Sequence, residues 1–344
     1  MKSAGKIKML GPFSTAFNDK FGSMALWMRY FYVFLYALAT TALAGLTVAC
    51  QESREVRVQR FLMRGNEMVR RNSLEQAERF FREALALDSC FADAWNNLGT
   101  LQFNRGSHAE AMESYSHALM CRPDFVDALL NRANVGYQLG DWSQALNDLA
   151  KAETLKPDTT VIPHLRGLIY TSSREYNKAK REFLSLLEKD SEDAEAWVNL
   201  GTVLYNEGKL DSARVVTETA VSLAPNEPNA YNTLALISMD EGQYDRAMDY
   251  IGKALTLRPG DPYFLNNRGY LLLKMGRLPE ALEDIDKSIV GDPRNAWAYR
   301  NKGIYYYQSG DFANAVRLLE RAVEMDSTVK EAKRYLELAR EKKG

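Results

Sequence analysis

One pattern recurs through most of this chain with a period of 34 residues and no insertion or deletion. Eight copies lie between Val58 and Val329, and position 20 of the pattern is alanine in all of them. Position 8 is glycine or alanine in every copy, and position 32 is proline in five. Self-similarity at one fixed period indicates stacked supersecondary units that share a continuous core. The units are 58–91, 92–125, 126–159, 160–193, 194–227, 228–261, 262–295 and 296–329.

Each unit is predicted to hold two short amphipathic helices. In the second unit Trp95, Leu98 and Leu101 recur at helical spacing, and Ala111 and Ala118 do so further along. Position 15 is glycine in six copies, where a left-handed residue would end the first helix, and the proline at position 32 ends the second. Glycine inside a helix costs about 1 kcal/mol relative to alanine. Glycine at position 8 therefore predicts a facing helix that is too close for a larger side chain.

The unit resembles the tetratricopeptide repeat, through its W-x2-L-G-x2-Y, A-x3-F and final proline, best matched in 92–125 and 194–227. The resemblance implies an all-α fold, a right-handed superhelical solenoid of eight helix pairs. It also implies that first helices line a concave groove, which positions 2, 5, 6, 9, 12 and 13 tend to face. Residues 330–344 carry one apolar stripe opposite charged residues, which predicts a C-terminal capping helix.

The start of the chain contains an uncharged run, Tyr30–Ala49, that ends in small residues just before Cys50. Such a run resembles a bacterial lipoprotein signal, in which Cys50 becomes the acylated first residue of the mature chain. We therefore predict a signal over 28–50, a short linker over 51–57, and an extension over 1–27 that is unstructured or not translated. The alternative is an uncleaved membrane anchor, since twenty apolar residues can span a bilayer. Either interpretation places the repeats on the extracytoplasmic side of a bacterial cell envelope.

A row of asparagines occupies position 6 of five units. An asparagine amide both donates and accepts, so it can pair with a peptide backbone whatever side chains the peptide carries. The row resembles the asparagine ladder of peptide-binding arrays, and predicts a groove that binds a protein or peptide partner. The alternative is that these residues solvate an empty face or bond locally to the backbone. The row consists of Asn97, Asn131, Asn199, Asn267 and Asn301.

Aromatic residues gather at groove-facing positions of the last two units. Tyr263, Tyr270, Trp297 and Tyr307 stand there, with Arg300 among them. Aromatic residues and arginine are favoured as interface anchors, which predicts an apolar end of the groove. Packing against the neighbouring helices is the alternative. No residue at position 2 is basic, which argues against the carboxylate clamp that holds acidic tails in some of these arrays.

Several classes of function find no support in the sequence. A net charge of −1 does not favour nucleic-acid binding. We find no phosphate loop, nucleophile elbow or metal motif, so no catalytic residue, metal or cofactor is expected. Acidic pairs such as Glu283–Asp284 are interpreted as solvated faces. Cys90 and Cys121 stand at different positions of successive units, which does not favour a bridge, and Cys121 is expected to pack as a small apolar residue.

Two functions remain compatible with this pattern. The first is a non-catalytic, membrane-tethered scaffold that binds a partner in its groove, in envelope assembly or secretion. The second is a structural array that self-associates and has no peptide ligand. The sequence does not identify the partner, the pathway, the inner or outer membrane, the true start codon or the oligomeric state.

Overall fold

A computed structural model describes Met28, Phe31, Leu35 and residues 52–343. The described residues form helices and no strand, which confirms the predicted all-α fold of helix pairs. The two compact units are Met1–Leu101, the N-terminal unit, and Gln102–Gly344, the C-terminal unit. The helices are α1 (Arg54–Arg70), α2 (Leu74–Leu87), α3 (Ala92–Asn104), α4 (His108–Cys121), α5 (Val126–Leu139), α6 (Trp142–Leu155), α7 (Val161–Ser172), α8 (Tyr176–Lys189), α9 (Ala194–Asn206), α10 (Leu210–Leu223), α11 (Pro228–Asp240), α12 (Tyr244–Leu257), α13 (Pro262–Lys274), α14 (Leu278–Gly291), α15 (Ala296–Gln308), α16 (Phe312–Met325) and α17 (Ala332–Lys343).

The beginning of the chain is described only in part. The predicted extension 1–27 lies outside the described residues, and so does the predicted signal apart from Met28, Phe31 and Leu35. Cys50 is outside them as well. None of the helices in the described part of the chain combines the length and the hydropathy needed to cross a membrane.

The first helix of the repeats begins earlier than the repeat pattern indicates. α1 starts at Arg54, so the predicted linker 51–57 is helical over its last four residues. The Ser53 hydroxyl accepts a hydrogen bond from the Val56 N–H at 3.2 Å and caps this helix. The acidic Glu55 lies in its first turn, where the helix dipole favours negative charge. These local signals extend the helix beyond the boundary of the repeat.

A left-handed residue stands at position 15 of every repeat, in the turn inside each helix pair, although the sequence predicts it only for the six glycines. The six glycines there have φ between 74° and 83°. The two units without glycine use Asn72, with φ 56°, and Arg174, with φ 63°. At Gly140 the N–H donates to the carbonyls of Gly136 and Tyr137, which satisfies the exposed end of α5.

Close helix contact at position 8 is confirmed. A Cβ added to Gly167 would lie 2.5 Å from Phe183 Cζ, and one added to Gly303 would lie 2.6 Å from Leu319 Cγ. Both distances are too short for carbon atoms in contact. The alanines at position 20 have no exposed surface in any of the eight repeats; they are Ala77, Ala111, Ala145, Ala179, Ala213, Ala247, Ala281 and Ala315.

The first helices of the C-terminal unit form one face of that unit. Each first helix contacts the next first helix along the chain, from α5 through α7, α9, α11 and α13 to α15. Each second helix from α6 to α14 packs against the first helix that follows it. α17 packs against both α15 and α16. Ala332, Leu336 and Ala339 of this helix are buried, and so is Val329 just ahead of it, which is the packing expected of a capping helix.

Two interpretations of the sequence were wrong. Asp284 is buried, and its carboxylate accepts from Arg268 Nε at 2.6 Å and Nη2 at 2.8 Å, while Glu283 next to it is exposed. Adjacent helical residues point in different directions, so only one of the pair faces the partner helix. Cys90 and Cys121 are each disulfide-bonded, so the interpretation of both as unbridged, with Cys121 a simple small apolar residue, was wrong.

Candidate functional site

The C-terminal unit carries a cavity of about 1150 Å³, lined by first helices and by the first residues of the second helices α6, α8 and α12. α9, α11, α13 and α15 contribute to its lining, and so do the turn between α7 and α8 and the segment 326–331 ahead of α17. The turn between α7 and α8 contacts the segment ahead of α17, because Arg174 Nη2 donates a hydrogen bond to the Thr328 carbonyl at 3.5 Å. The lining of this cavity includes Asn267, Tyr270, Lys274, Trp297, Arg300 and Glu331.

A buried cation lies in the wall of this cavity. Only 3% of the surface of Arg300 is exposed. Its guanidinium lies 4.3 Å from the ring centroid of Tyr270 and 4.7 Å from that of Trp297. Burial lowers the pKa of Arg300, but an arginine stays protonated at any physiological pH. The two rings therefore hold a permanent positive charge through cation–π contact.

Neutral groups accept the hydrogen bonds of this cation. Arg300 Nε and Nη2 donate to Asn301 Oδ1 at 2.9 and 2.6 Å. Arg300 Nη1 donates to the Lys330 carbonyl at 3.3 Å. Side-chain amide and backbone carbonyl oxygens thus solvate the charge of Arg300.

A carboxylate from the chain itself enters the same region. Tyr270 Oη donates to the Glu331 carboxylate, and Lys274 Nζ lies 3.8 Å from Glu331 Oε1. Lys274 also lies 4.9 Å from the Tyr270 ring centroid. Burial, followed by the hydrogen bond to Glu331, raises the pKa of Tyr270. The phenol therefore remains a hydrogen-bond donor at neutral pH.

The asparagine row of the C-terminal unit is partly used within the chain. Asn267 lines the cavity, and its Nδ2 donates to Asn232 Oδ1 at 2.8 Å. Asn301 has no exposed surface, and its Nδ2 donates to Asn266 Oδ1 at 2.7 Å. Both bonds join neighbouring first helices. Asn301 also accepts from Arg300, so its amide orients the buried cation instead of facing the cavity.

The other three asparagines lie elsewhere. Asn97, in the N-terminal unit, donates to Asn66 Oδ1 at 2.8 Å. Asn131 lines a second cavity of about 460 Å³ in the C-terminal unit. Asn199 is partly buried and is not among the described residues that line either cavity. The structure thus brings only Asn267 of the row to the large cavity.

The predicted aromatic residues separate into two groups. Tyr270 and Trp297 line the large cavity, where 37% of Trp297 is exposed. Tyr263 is exposed and is not part of the described lining. Tyr307 packs against Phe312 and Tyr335, with ring centroids 5.8 and 5.4 Å away. Core packing under α17 is therefore the environment of Tyr307.

Sequence reasoning missed part of the lining. Lys274 and Asp240 stand at position 13, and Tyr205 at position 12, which are groove-facing positions of the repeat. Tyr205 Oη donates to Asp240 Oδ2 at 2.9 Å, and burial raises the pKa of Tyr205. The repeat register was the signal for these three residues. Glu331 lies in a corner outside the repeats, so no such signal was available for it.

The part of the chain that the structure describes contains no group of three histidine, cysteine or acidic residues that could hold a metal ion.

Family profiles described as tetratricopeptide repeat match residues 62–124, 170–237, 228–261 and 261–328. These matches together cover more than half of the chain, and none of them is to an enzyme family. No protein with a curated description matches the sequence significantly.

Solved structures show the same fold. A structure from the functional characterization of Pseudomonas aeruginosa pilF has a TM-score of 0.50 and 21% identity, covering 61% of this chain and 96% of that chain. The APC/C hetero-tetramer Cut9–Hcn1 has a TM-score of 0.56 and 16% identity, covering 84% of this chain and 64% of that chain. At such identities the likeness concerns the fold alone. The repeat profiles and the helix pairs agree, and the chain belongs to the tetratricopeptide repeat family.

Proposed function

We propose that this chain is a non-catalytic scaffold that binds an extended segment of a partner protein in the large cavity of the C-terminal unit. The observation that carries this proposal is the aromatic and cationic lining of that cavity, Tyr270, Trp297 and Arg300. These residue types dominate the binding energy of protein interfaces. The volume of about 1150 Å³ exceeds that of most small-molecule pockets and suits several residues of a peptide.

The chemistry of the cavity favours binding over catalysis. Its groups with shifted pKa values are Tyr205, Tyr270 and Arg300. Both phenols have raised pKa values and stay protonated at neutral pH, and the guanidinium stays charged. None of these groups is poised to exchange a proton near pH 7, which general acid–base catalysis requires.

Peptide display tests the proposed site. The full chain in detergent is panned against random dodecapeptides, and the affinities of the selected peptides are measured for Trp297→Ala. Loss of a central aromatic anchor costs about 2 kcal/mol, or roughly thirtyfold in affinity. Val215→Ala is the control, because Val215 is 64% exposed on α10 and is not among the described lining residues. Equal binding to both variants would reject the cavity as the peptide site.

We also propose that the N-terminus tethers the repeats to a membrane of a bacterial envelope, on the extracytoplasmic side. The cysteine that follows the apolar run supports acylation at Cys50. The disulfide-bonded state of Cys90 and Cys121 supports an oxidising compartment, where such bonds persist. Labelling with radioactive palmitate should mark the chain and be lost in Cys50→Ala. Membrane association of an unlabelled chain would favour the anchor instead.

Self-association is the rival to partner binding. Light scattering on the Cys50→Ala chain over a hundredfold concentration range separates the two. A concentration-independent monomer would argue against a self-associating array, and a concentration-dependent mass would support one.

A further inference from the structure

The segment ahead of α17 places an acidic side chain inside the large cavity. Glu331 is one of three described residues other than glycine with a positive φ, 63°. L residues rarely adopt this conformation. The Glu331 carbonyl accepts from the Tyr335 N–H at 3.0 Å, so this corner also begins α17. The corner directs the Glu331 carboxylate to the donors of α13.

The acidic groups in the cavity wall already have donors. Asp240 accepts from Tyr205, and Asp326 accepts from the hydroxyl and the N–H of Thr328. Glu331 accepts from Tyr270 and lies near Lys274. The carboxylates of the wall are therefore satisfied within the chain.

The cationic groups have no equivalent neutralisation. Arg300 donates to an amide oxygen and a carbonyl. Arg174 reaches a carbonyl at 3.5 Å, the outer limit of a hydrogen bond. Lys274 shares the single Glu331 carboxylate at 3.8 Å and keeps 34% of its side chain exposed. Within the described wall, Glu331 is therefore the one carboxylate that forms an ion pair with any of these three cations.

We infer that Tyr270, Lys274 and Arg300 form a carboxylate-binding subsite, that Glu331 occupies this subsite in the free chain, and that a carboxylate of the bound segment displaces it. This inference rests on the proposed function and names the chemistry of the partner. The subsite uses positions 9, 13 and 5, not the position-2 residues whose lack of basic side chains argues against a carboxylate clamp.

Displacement needs little movement. The Glu331 side chain is 26% exposed, so rotation toward solvent withdraws its carboxylate without unpacking α17. The bound segment then replaces one charge-assisted hydrogen bond with another. An attached carboxylate competes at a high effective concentration, which lowers the apparent affinity for the partner. A neutral segment offers no carboxylate to replace that of Glu331, so it does not displace Glu331 from the subsite.

Three pools of fluorescein-labelled dodecapeptides test the inference by fluorescence anisotropy, all randomised over uncharged residues. The first has a central Glu and an amidated C-terminus. The second has a central Gln and a free C-terminal carboxylate, and the third has a central Gln and an amidated C-terminus. The full chain in detergent is compared with Glu331→Gln and Glu331→Gly, and thermal melting verifies that each is folded. The glycine variant suits the left-handed corner and keeps the test valid if the glutamine variant unfolds.

With Glu331 replaced, at least one carboxylate pool should bind about tenfold more tightly than the neutral pool, as for a hydrogen bond to a charged group. Tighter binding of the first pool indicates that the ligand is an acidic side chain. Tighter binding of the second pool indicates that the ligand is the C-terminal carboxylate of a chain. Adding Tyr270→Phe or Lys274→Gln should reduce this preference, whereas Glu337→Gln, exposed on α17, should behave as the unchanged chain.

The outcomes separate this inference from the proposed function. Equal binding of the three pools to the Glu331 variants would overturn the carboxylate subsite and leave the peptide groove intact. Absence of binding by every pool to every folded variant would overturn both.

Discussion

The replacement Gly167→Ala tests the close contact between helices on which each repeat depends. The new methyl group would meet the Phe183 ring at 2.5, 2.6 and 3.0 Å. Carbon atoms pack best at about 3.5–4.0 Å, so the ring must move by about 1 Å. Phe183 has no exposed surface and belongs to a buried cluster with Leu186 and Leu200, so its ring cannot move into solvent without disturbing that cluster.

The expected free-energy change combines two opposing effects. Alanine gains about 1 kcal/mol over glycine in helix propensity. Overpacking of a closed core costs about 3 kcal/mol at the upper end of its range, which applies to an aromatic ring that cannot move away. The net destabilisation is then about 2 kcal/mol. With a urea m-value of about 2 kcal/mol/M, the midpoint of unfolding should fall by about 1 M.

Gly252→Ala is the matched control for this measurement. Gly252 lies within α12, and a Cβ there would meet no atom within 4 Å. Only the propensity gain remains, so the urea midpoint, followed by circular dichroism, should rise. If the urea midpoint rose in Gly167→Ala as much as in Gly252→Ala, that result would refute the close contact between Gly167 and Phe183. As a second test, Phe183→Leu should destabilise less in the Gly167→Ala background than alone, because it relieves the clash.

Two further predictions concern electrostatics and covalent state. Arg268→Gln should lower the free energy of unfolding by about 3 kcal/mol in urea titrations, because it leaves the buried Asp284 carboxylate without its cation. Arg277→Gln, which removes an exposed ion pair with Glu280, should change the free energy of unfolding little. Equal effects of the two replacements would contradict a special role for the buried pair of Arg268 and Asp284. A denatured Cys50→Ala chain without reductant should show no free thiol, because its cysteines are both disulfide-bonded; two reactive thiols would contradict this state.

Features that depend on one residue's backbone or volume could be predicted from the sequence. The left-handed turns at Gly106 and Gly140 follow from the lack of a side chain at glycine. The narrow gap at Gly167 follows from a glycine that is otherwise unfavourable inside a helix. In each case the cause is local, and the period of 34 residues repeats it along the chain.

The partners of polar side chains were harder to predict, because they depend on the spacing between helices. Asn267 and Asn301 share one register, yet only Asn267 lines the cavity while Asn301 is fully buried. The difference lies in their neighbours, since Arg300 donates to the Asn301 amide from the same turn of α15. The position in the repeat places a side chain on a face, whereas the residues across the interface decide its hydrogen bonds.

The departures from the repeat are where the cavity acquires its own chemistry. Arg174 replaces the glycine of the turn, and Glu331 follows the last repeat, and both have positive φ values that glycine would accept more easily. Both also line the large cavity. The residues at positions 8, 15 and 20 serve packing and turns, which every repeat needs equally. A side chain that distinguishes one partner from another must therefore come from positions that packing leaves free, or from corners such as these, where a strained residue carries a charge into the groove.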